Sequence, residues 1–404
     1  MILCAAWALA PSLVEAANWP QFRGLDEGRV DAEDAGGVPA LDSEEAVAWE
    51  VGLPGPGHSS PVVWEDRVIL TCEGAGGERS RSVVCLSADD GRELWKTDYR
   101  YQEHSLHRFN NDASSTACTD GIYVYLTWTG GDEREALALD LKDGAEVWRV
   151  ALGSFGEEHG SGASPVLAGE TLLVSNDHAK GGGALFGLDR RSGEVRWKLE
   201  REASKASFST PILTDDGAVA LFAGTPYGVT AVDVQSGEVV WDAGAGFDER
   251  TVASPVRMGD TVFVTSGNGG GKRQALVVAA PKGKAKPEPA WPIDKGLPYV
   301  PTPVVANGFM FMWNDGGIVT CIRERDGQEM WRERVSGEAY ASPIAVGDRI
   351  IGCDRQDKIW SVRAAGEFEV LSELDLGEPI NATPAVSGGK MFVRTAGRLV
   401  CFGG

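Results

Sequence analysis

Short runs of β-branched and aromatic residues recur along the chain, each pair joined by a tight polar turn. PVVWEDRVILTC (61–72), PVLAGETLLVSN (165–176), PVRMGDTVFVTS (255–266) and PIAVGDRIIGCD (343–354) all show the pattern. Turn residues between two β-rich runs signal a hairpin. Each hairpin opens on a small residue and proline, at Pro61, Pro165, Pro211, Pro255, Pro303, Pro343 and Pro384, with SSTA ending at Ala117 in the one gap. The eight marks are 56, 48, 46, 44, 48, 40 and 41 residues apart. A second mark, an apolar run, a D-G or S-G turn and a tryptophan, lies behind most of them: LSADDGRELW, LDLKDGAEVW, LDRRSGEVRW, VDVQSGEVVW and IRERDGQEMW. These end at Trp95, Trp148, Trp197, Trp241 and Trp331; Trp291 closes a copy with a longer turn, PKGKAKPEP, and Leu371 replaces the tryptophan in another.

Each unit therefore reads as a four-stranded meander, and units of this length with four strands are propeller blades. The 356 residues from position 49 onward give 44.5 per unit for eight units. The expected fold is all-β: an eight-bladed propeller of four-stranded antiparallel blades. The last copy stops at LVCFGG after its third strand, and SEEAVAWEV, carrying Trp49, is a fourth strand with no three before it. The N-terminal strand is thus expected to complete the C-terminal blade and remove an open edge. The tryptophans, one per blade at one register, are structural: each buries a large apolar area between blades. WD repeats are disfavoured because G-H and terminal W-D do not recur from unit to unit, Trp241-Asp242 being an isolated coincidence, and kelch repeats because no glycine doublet recurs at a fixed place in the units.

Residues 1–17 read as a signal peptide, with an apolar stretch and small residues at Ala16 and Ala17, although no Lys or Arg precedes it. Cys4 lacks the leucine of a lipoprotein box. Residues 18–48 form an N-terminal arm and 49–404 the propeller. A net charge of −21 opposes nucleic acid and anionic lipid. No apolar run of eighteen residues follows the N-terminus, so no transmembrane segment is expected in the mature chain. Cys85, Cys321 and Cys401 occupy equivalent strings where another copy has Ala138, which marks a small buried residue. Cys72 and Cys85 flank a glycine-rich hairpin tip and are the candidate disulfide, out of direct register.

The string A-x-D-x-x-[ST/D]-G-x-x-x-W, from Ala138 to Trp148 and from Ala231 to Trp241, resembles the tryptophan-docking repeat of PQQ-type propellers. That family includes quinoprotein alcohol dehydrogenases and the propeller lipoprotein of the outer-membrane β-barrel assembly machinery. NWPQFRG (18–24), PGPGHSSPVVW, HRFNND and STP look most like a group of exported bacterial PQQ-like repeat proteins. In the dehydrogenases the resemblance implies a quinone stacked on tryptophan under a vicinal disulfide, with calcium held by acidic and amide side chains. This chain has no adjacent cysteines and is far shorter than those enzymes.

All five histidines, His58, His104, His107, His159 and His178, fall on the loops of blades 1 to 3 that share one face, accompanied by Glu103, Asp112, Glu157, Glu158 and Asp177. The loops leading into blades 2 and 3 are also the longest, and function concentrates on long loops over a rigid scaffold. His58, His107, Asn110, Asn111, His159, Asn176, Asp177 and His178 are the binding-face candidates, with nothing comparable expected in blades 4 to 8. Histidine with carboxylate is a zinc-type ligand set, but no H-E-x-x-H occurs and the metal stays open. GNGGGK (267–272) has the wrong spacing for a phosphate loop and reads as a hairpin loop; G-x-S-x-G is absent. PKGKAKPEP is a basic, solvated loop on the opposite face, or a dock for an acidic partner. The expected function is an exported, non-enzymatic binding or scaffold propeller of the bacterial envelope, periplasmic or secreted. It would act as a monomer on an envelope protein or a small polar ligand, without a cofactor. The alternative is a PQQ- or metal-dependent periplasmic oxidoreductase with PQQ and calcium.

Overall fold

The computed structural model describes residues 18–403 except 31, 75–78, 105, 157–158, 180–181, 245 and 282. The signal-peptide assignment, Glu157 and Glu158 lie outside these residues. Eight sheets follow one another round a ring, each with its strands in meander order: 62–100, 118–154, 166–201, 212–242, 256–289, 304–334, 344–375, and 385–402 completed by Val47–Gly52. The closing strand pairs antiparallel with Arg398–Phe402, placing Trp49 opposite Cys401. Among the described residues helix is confined to Ala32–Gly37 and a 3-10 turn at Glu44–Ala46.

Two sets of contacts lock neighbouring blades. At the outer radius, Trp95 of blade 1 lies on Gly144 in the D-G turn of blade 2, and its indole N–H donates to Leu141 O at 2.9 Å. Trp148 on Gly193 with Arg190 O, Trp197 on Gly237 with Val234 O, and Trp49 on Gly91 with Ala88 O repeat the joint. Trp331 donates to Ala365 O, Trp291 covers Gly327, and Trp241 packs among Val262, Val264 and Val278. The turn glycine is obligatory for two reasons. It has φ +73° at Gly144, and a Cβ there would stand 2.4 Å from the Trp95 ring. Within each blade the residue opposite the tryptophan is small: Cys85, Ala138, Gly187, Ala231 and Cys321. In blade 7 the residue at the tryptophan register is Ser372, opposite Ser361, so Leu371 is displaced by one position.

At the inner radius the residue before each proline carries a hydroxyl, and that hydroxyl accepts the backbone N–H of the same residue in the preceding blade. Ser60 N–H donates to Thr116 Oγ1, Thr116 to Ser164, Ser164 to Thr210, Ser254 to Thr302, Thr302 to Ser342, Ser342 to Thr383, and Thr383 back to Ser60, at 2.9–3.3 Å. Seven of the eight steps round the ring are thus made. Blade 2 has Ala117 in place of proline but keeps the hydroxyl, Thr116.

Cys72 and Cys85 are both free and buried, as are the other four described cysteines. In the antiparallel pairing Cys72 stands opposite Ser82 and Cys85 opposite Ile69, so the candidate disulfide does not form.

The N-terminal arm is threaded into the central channel. Asn18 caps the Glu65 N–H on the turn between the first two strands of blade 1, and Trp19 exchanges two backbone hydrogen bonds with Val63. Pro20 accepts from Thr119 N–H of blade 2, buried Arg23 donates to Pro303 O of blade 6 at 2.6 Å, and Glu27 pairs with Arg257 of blade 5. Arg29–Val30 then adds as a parallel fifth strand to the innermost strand of blade 7. The chain leaves past Arg349, which donates to Val38 O and Pro39 O. One segment therefore ties together inner strands of blades 1, 2, 5, 6 and 7.

Trp95→Ala, or Gly144→Val at the same joint, is expected to lower unfolding free energy by about 3–5 kcal/mol, measured by chemical denaturation. Deleting residues 18–55 removes both the plug and the closing strand, and an unchanged melting curve for that deletion would contradict ring closure.

Candidate functional site

On the face opposite the arm's exit, the loops leading into the eight blades surround a funnel of about 650 Å³. Its throat is the hydroxyl ring, with Ser60, Thr116, Ser164, Thr210, Thr302, Ser342 and Thr383 facing in, and Phe22 of the arm contributes at the bottom. Four expected residues line it: His58, His107, Asn110 and His159. His107 stacks on His159 with centroids 4.9 Å apart, and Asn110 donates to His159 O at 2.6 Å. The other four are built into the wall. Asn111 Oδ1 accepts from Ala113 N–H, Asn176 donates to Leu152 O and Ser154 O, buried Asp177 pairs with Arg201 at 3.1 Å, and the buried His178 ring meets Phe155. His104 is likewise removed from the funnel by Asp112, 3.0 Å away, whose other oxygen accepts from Tyr101 OH at 2.6 Å.

Blades 4 to 8 contribute more than expected. Phe208, Arg250, Arg273, Tyr299, Asp315, Glu338, Tyr340 and Asn381 complete the wall. Their loops are short, so length gave no signal, yet side chains from short loops still point into a circular throat. Asp315 accepts the N–H groups of Tyr299 and Val300 and pairs with Arg273.

Buried arginines support the histidine side. Arg394 donates to Ser59 Oγ and Thr71 O, both at 2.7 Å, and passes so close to Gly57 that a Cβ there would lie 2.1 Å from its guanidinium. Arg134 donates to Ala163 O at 2.8 Å, and burial pulls its pKa down to about 9, still protonated at neutral pH. Burial, with Arg394 and Arg355 nearby, holds His58 neutral down to about pH 4. Burial pushes the Asp112 carboxyl up, but hydrogen bonds from His104 and Tyr101 outweigh it and leave it below the usual carboxylate range.

Among the described residues no three His, Cys, Asp or Glu side chains are grouped as a metal site requires. The donor set also does not fit a quinone with calcium: among the described residues no tryptophan lines the funnel, the cysteines are separate and buried, and both lining carboxylates are engaged, Asp315 by backbone N–H groups and Arg273 and Glu338 by Arg355.

The family model for outer membrane protein assembly factor BamB matches residues 16–125, 79–291 and 282–367. The chain belongs to this family. BamB of Yersinia pestis is 22% identical over 79% of this chain and 68% of its own, and BamB of Burkholderia pseudomallei 23% identical over 88% and 87%. The crystal structure of BamB from Moraxella catarrhalis superposes with a TM-score of 0.62 at 14% identity, covering 89% of this chain and 97% of that one. Quinohemoprotein alcohol dehydrogenase from Comamonas testosteroni gives 0.65 at 12% identity over 96% and 80%. At these identities the superpositions establish the shared propeller fold and no shared activity.

An unfolded chain protonates His58 below about pH 6.5, the folded chain only near pH 4. The stability that His58 contributes is therefore complete above pH 6.5 and is lost as pH falls towards 4. Denaturant midpoints are expected to fall across that window, and His58→Gln is expected to flatten the slope; identical slopes in the two proteins would contradict the assignment.

Proposed function

We propose that this chain is an exported, non-enzymatic binding or scaffold propeller of the bacterial envelope that engages a partner through its funnel face. The observation that carries the reading is the funnel itself, a rigid, plugged recess lined by aromatic, arginine, histidine and hydroxyl side chains from every blade. Its phenylalanine, tyrosine and arginine side chains offer the large anchoring contacts that are enriched in protein recognition sites, and its hydroxyl and histidine groups offer oriented polar ones. The loops from blades 1 and 2 into blades 2 and 3 form its most elaborated sector. Membership of a family described as an outer membrane assembly factor supports an envelope partner. Export follows from the apolar N-terminal segment read as a signal peptide.

The oxidoreductase reading has one observation in its favour: polyvinylalcohol dehydrogenase of a Pseudomonas species is 28% identical over 41% of this chain and 25% of its own. The funnel's donor set weighs against it. Co-purification from an envelope fraction, beside a dye-linked assay with added PQQ and calcium, separates the two. A stable protein partner that is lost in an Asn110→Ala, His159→Ala double variant, with no turnover, is the expected result. Cofactor-dependent turnover would overturn the scaffold reading.

A further inference from the structure

The segment Leu106–Asn111 crosses the mouth of the funnel. Its base is fixed on the loop into blade 3: Leu106 packs on Gly160, whose Cβ position would be 2.5 Å from Leu106 Cδ1, His107 stacks on His159, and Asn110 bonds His159 O. Its tip reaches blade 7, three blades round the ring. There Phe109 meets Tyr340 edge-on with centroids 6.3 Å apart. The Arg355 guanidinium lies over both rings, 4.1 Å from Tyr340 and 4.7 Å from Phe109, and Arg108 covers Phe109 at 4.4 Å. Arg355 is held in place by Glu338 at 3.0 Å and by Asn381 at 3.2 Å. The two ends differ in kind. The base has packing, ring stacking and a side-chain hydrogen bond; the tip is a solvent-facing aromatic, 37% exposed, that meets blade 7 through cation and edge contacts.

We propose that Leu106–Asn111 is a strap that gates the funnel, hinged at its base and latched at its tip by Phe109 against Arg355 and Tyr340. The arm closes the other end of the channel, with Phe22 at the floor, so a ligand enters from the loop face and only when the latch opens. Phe109, Arg355 and Tyr340 then decide the size of what is admitted, although none belongs to the repeat pattern. The gate concerns access to the same funnel that the proposed function uses, but it holds whatever the funnel accommodates.

A thiol reagent tests the gate without any partner, so its failure and a failure of the scaffold reading are distinct. Because the six described cysteines are buried, Phe208→Cys in the funnel wall, in a full chain carrying Cys4→Ser, supplies a reporter inside the funnel. Iodoacetamide is expected to modify this introduced thiol slowly, and Phe109→Ala or Arg355→Ala should raise that rate roughly fivefold or more by raising the population of the open strap. Leu25→Cys, at a position 73% exposed on the arm, should react at one rate in all backgrounds. Should Phe208→Cys disturb the wall, Val252→Cys, also in the funnel, reads the same gate. Equal reporter rates with and without Phe109 would overturn the proposal, as would an acceleration shared by the Leu25→Cys control.

Discussion

The circle of backbone-to-hydroxyl hydrogen bonds at the inner radius, made at seven of its eight steps, is the constraint on which the other features depend. A twisted four-stranded sheet has two apolar faces and can bury them only against its neighbours, so packing alone leaves each blade free to slide or rotate a little. The bonds from Ser60 to Thr116 and onward to Thr383 and Ser60 remove that freedom. Each contributes about 0.5–1.5 kcal/mol, but a displaced blade loses two at once, or one where it flanks the unmade step between Thr210 and Ser254. They also place a small residue and a proline where eight innermost strands converge. Proline suits the first position of such a strand because no ladder partner is available for an N–H there.

Outside the ring the tryptophan joints set the spacing of the rim, and the ring sets the width of the throat. The funnel is the consequence: a circular recess whose hydroxyl floor is also its structural fastener. The arm then closes it from the far side, with Arg23, Glu27 and the parallel strand at Arg29–Val30 bonded to inner strands already fixed by the ring. Funnel wall and scaffold are therefore mechanically continuous. The short loops of blades 5 to 7 add Arg273, Tyr299, Glu338 and Tyr340, so the funnel wall is not confined to blades 1 to 3.

Much of this was legible in the sequence because it is repeated. Eight small-residue marks and the turn-to-tryptophan strings pointed to the blades, the closing strand at Trp49 and the role of Cys85, Cys321 and Cys401 as small buried residues, and the structure places these three opposite the tryptophans. Features that occur once were not legible. The threading of residues 18–48 through the channel depends on single contacts such as Arg23 to Pro303 O, which no period announces. Polar residues next to the histidines could not be divided into lining and wall. Asp177 is consumed by Arg201 and Asn176 by strand carbonyls, whereas His107 and His159 meet at the surface, and composition is the same in both cases. Ser372 rather than Leu371 occupies the tryptophan register because the turn before the outer strand of blade 7 is one residue longer: Ser372 lies 11 positions after its partner Ser361, whereas Trp95 lies 10 after Cys85.

Amide hydrogen exchange at the ring tests this account most directly. The N–H groups of Ser60, Thr116, Ser164, Ser254, Thr302, Ser342 and Thr383 are expected to exchange together, through global opening, and Thr302→Val should lower protection at all seven. If Thr302→Val exposes Ser254 alone and leaves the distant members of the ring unchanged, the blades are fastened independently and the ring is not the constraint that holds them.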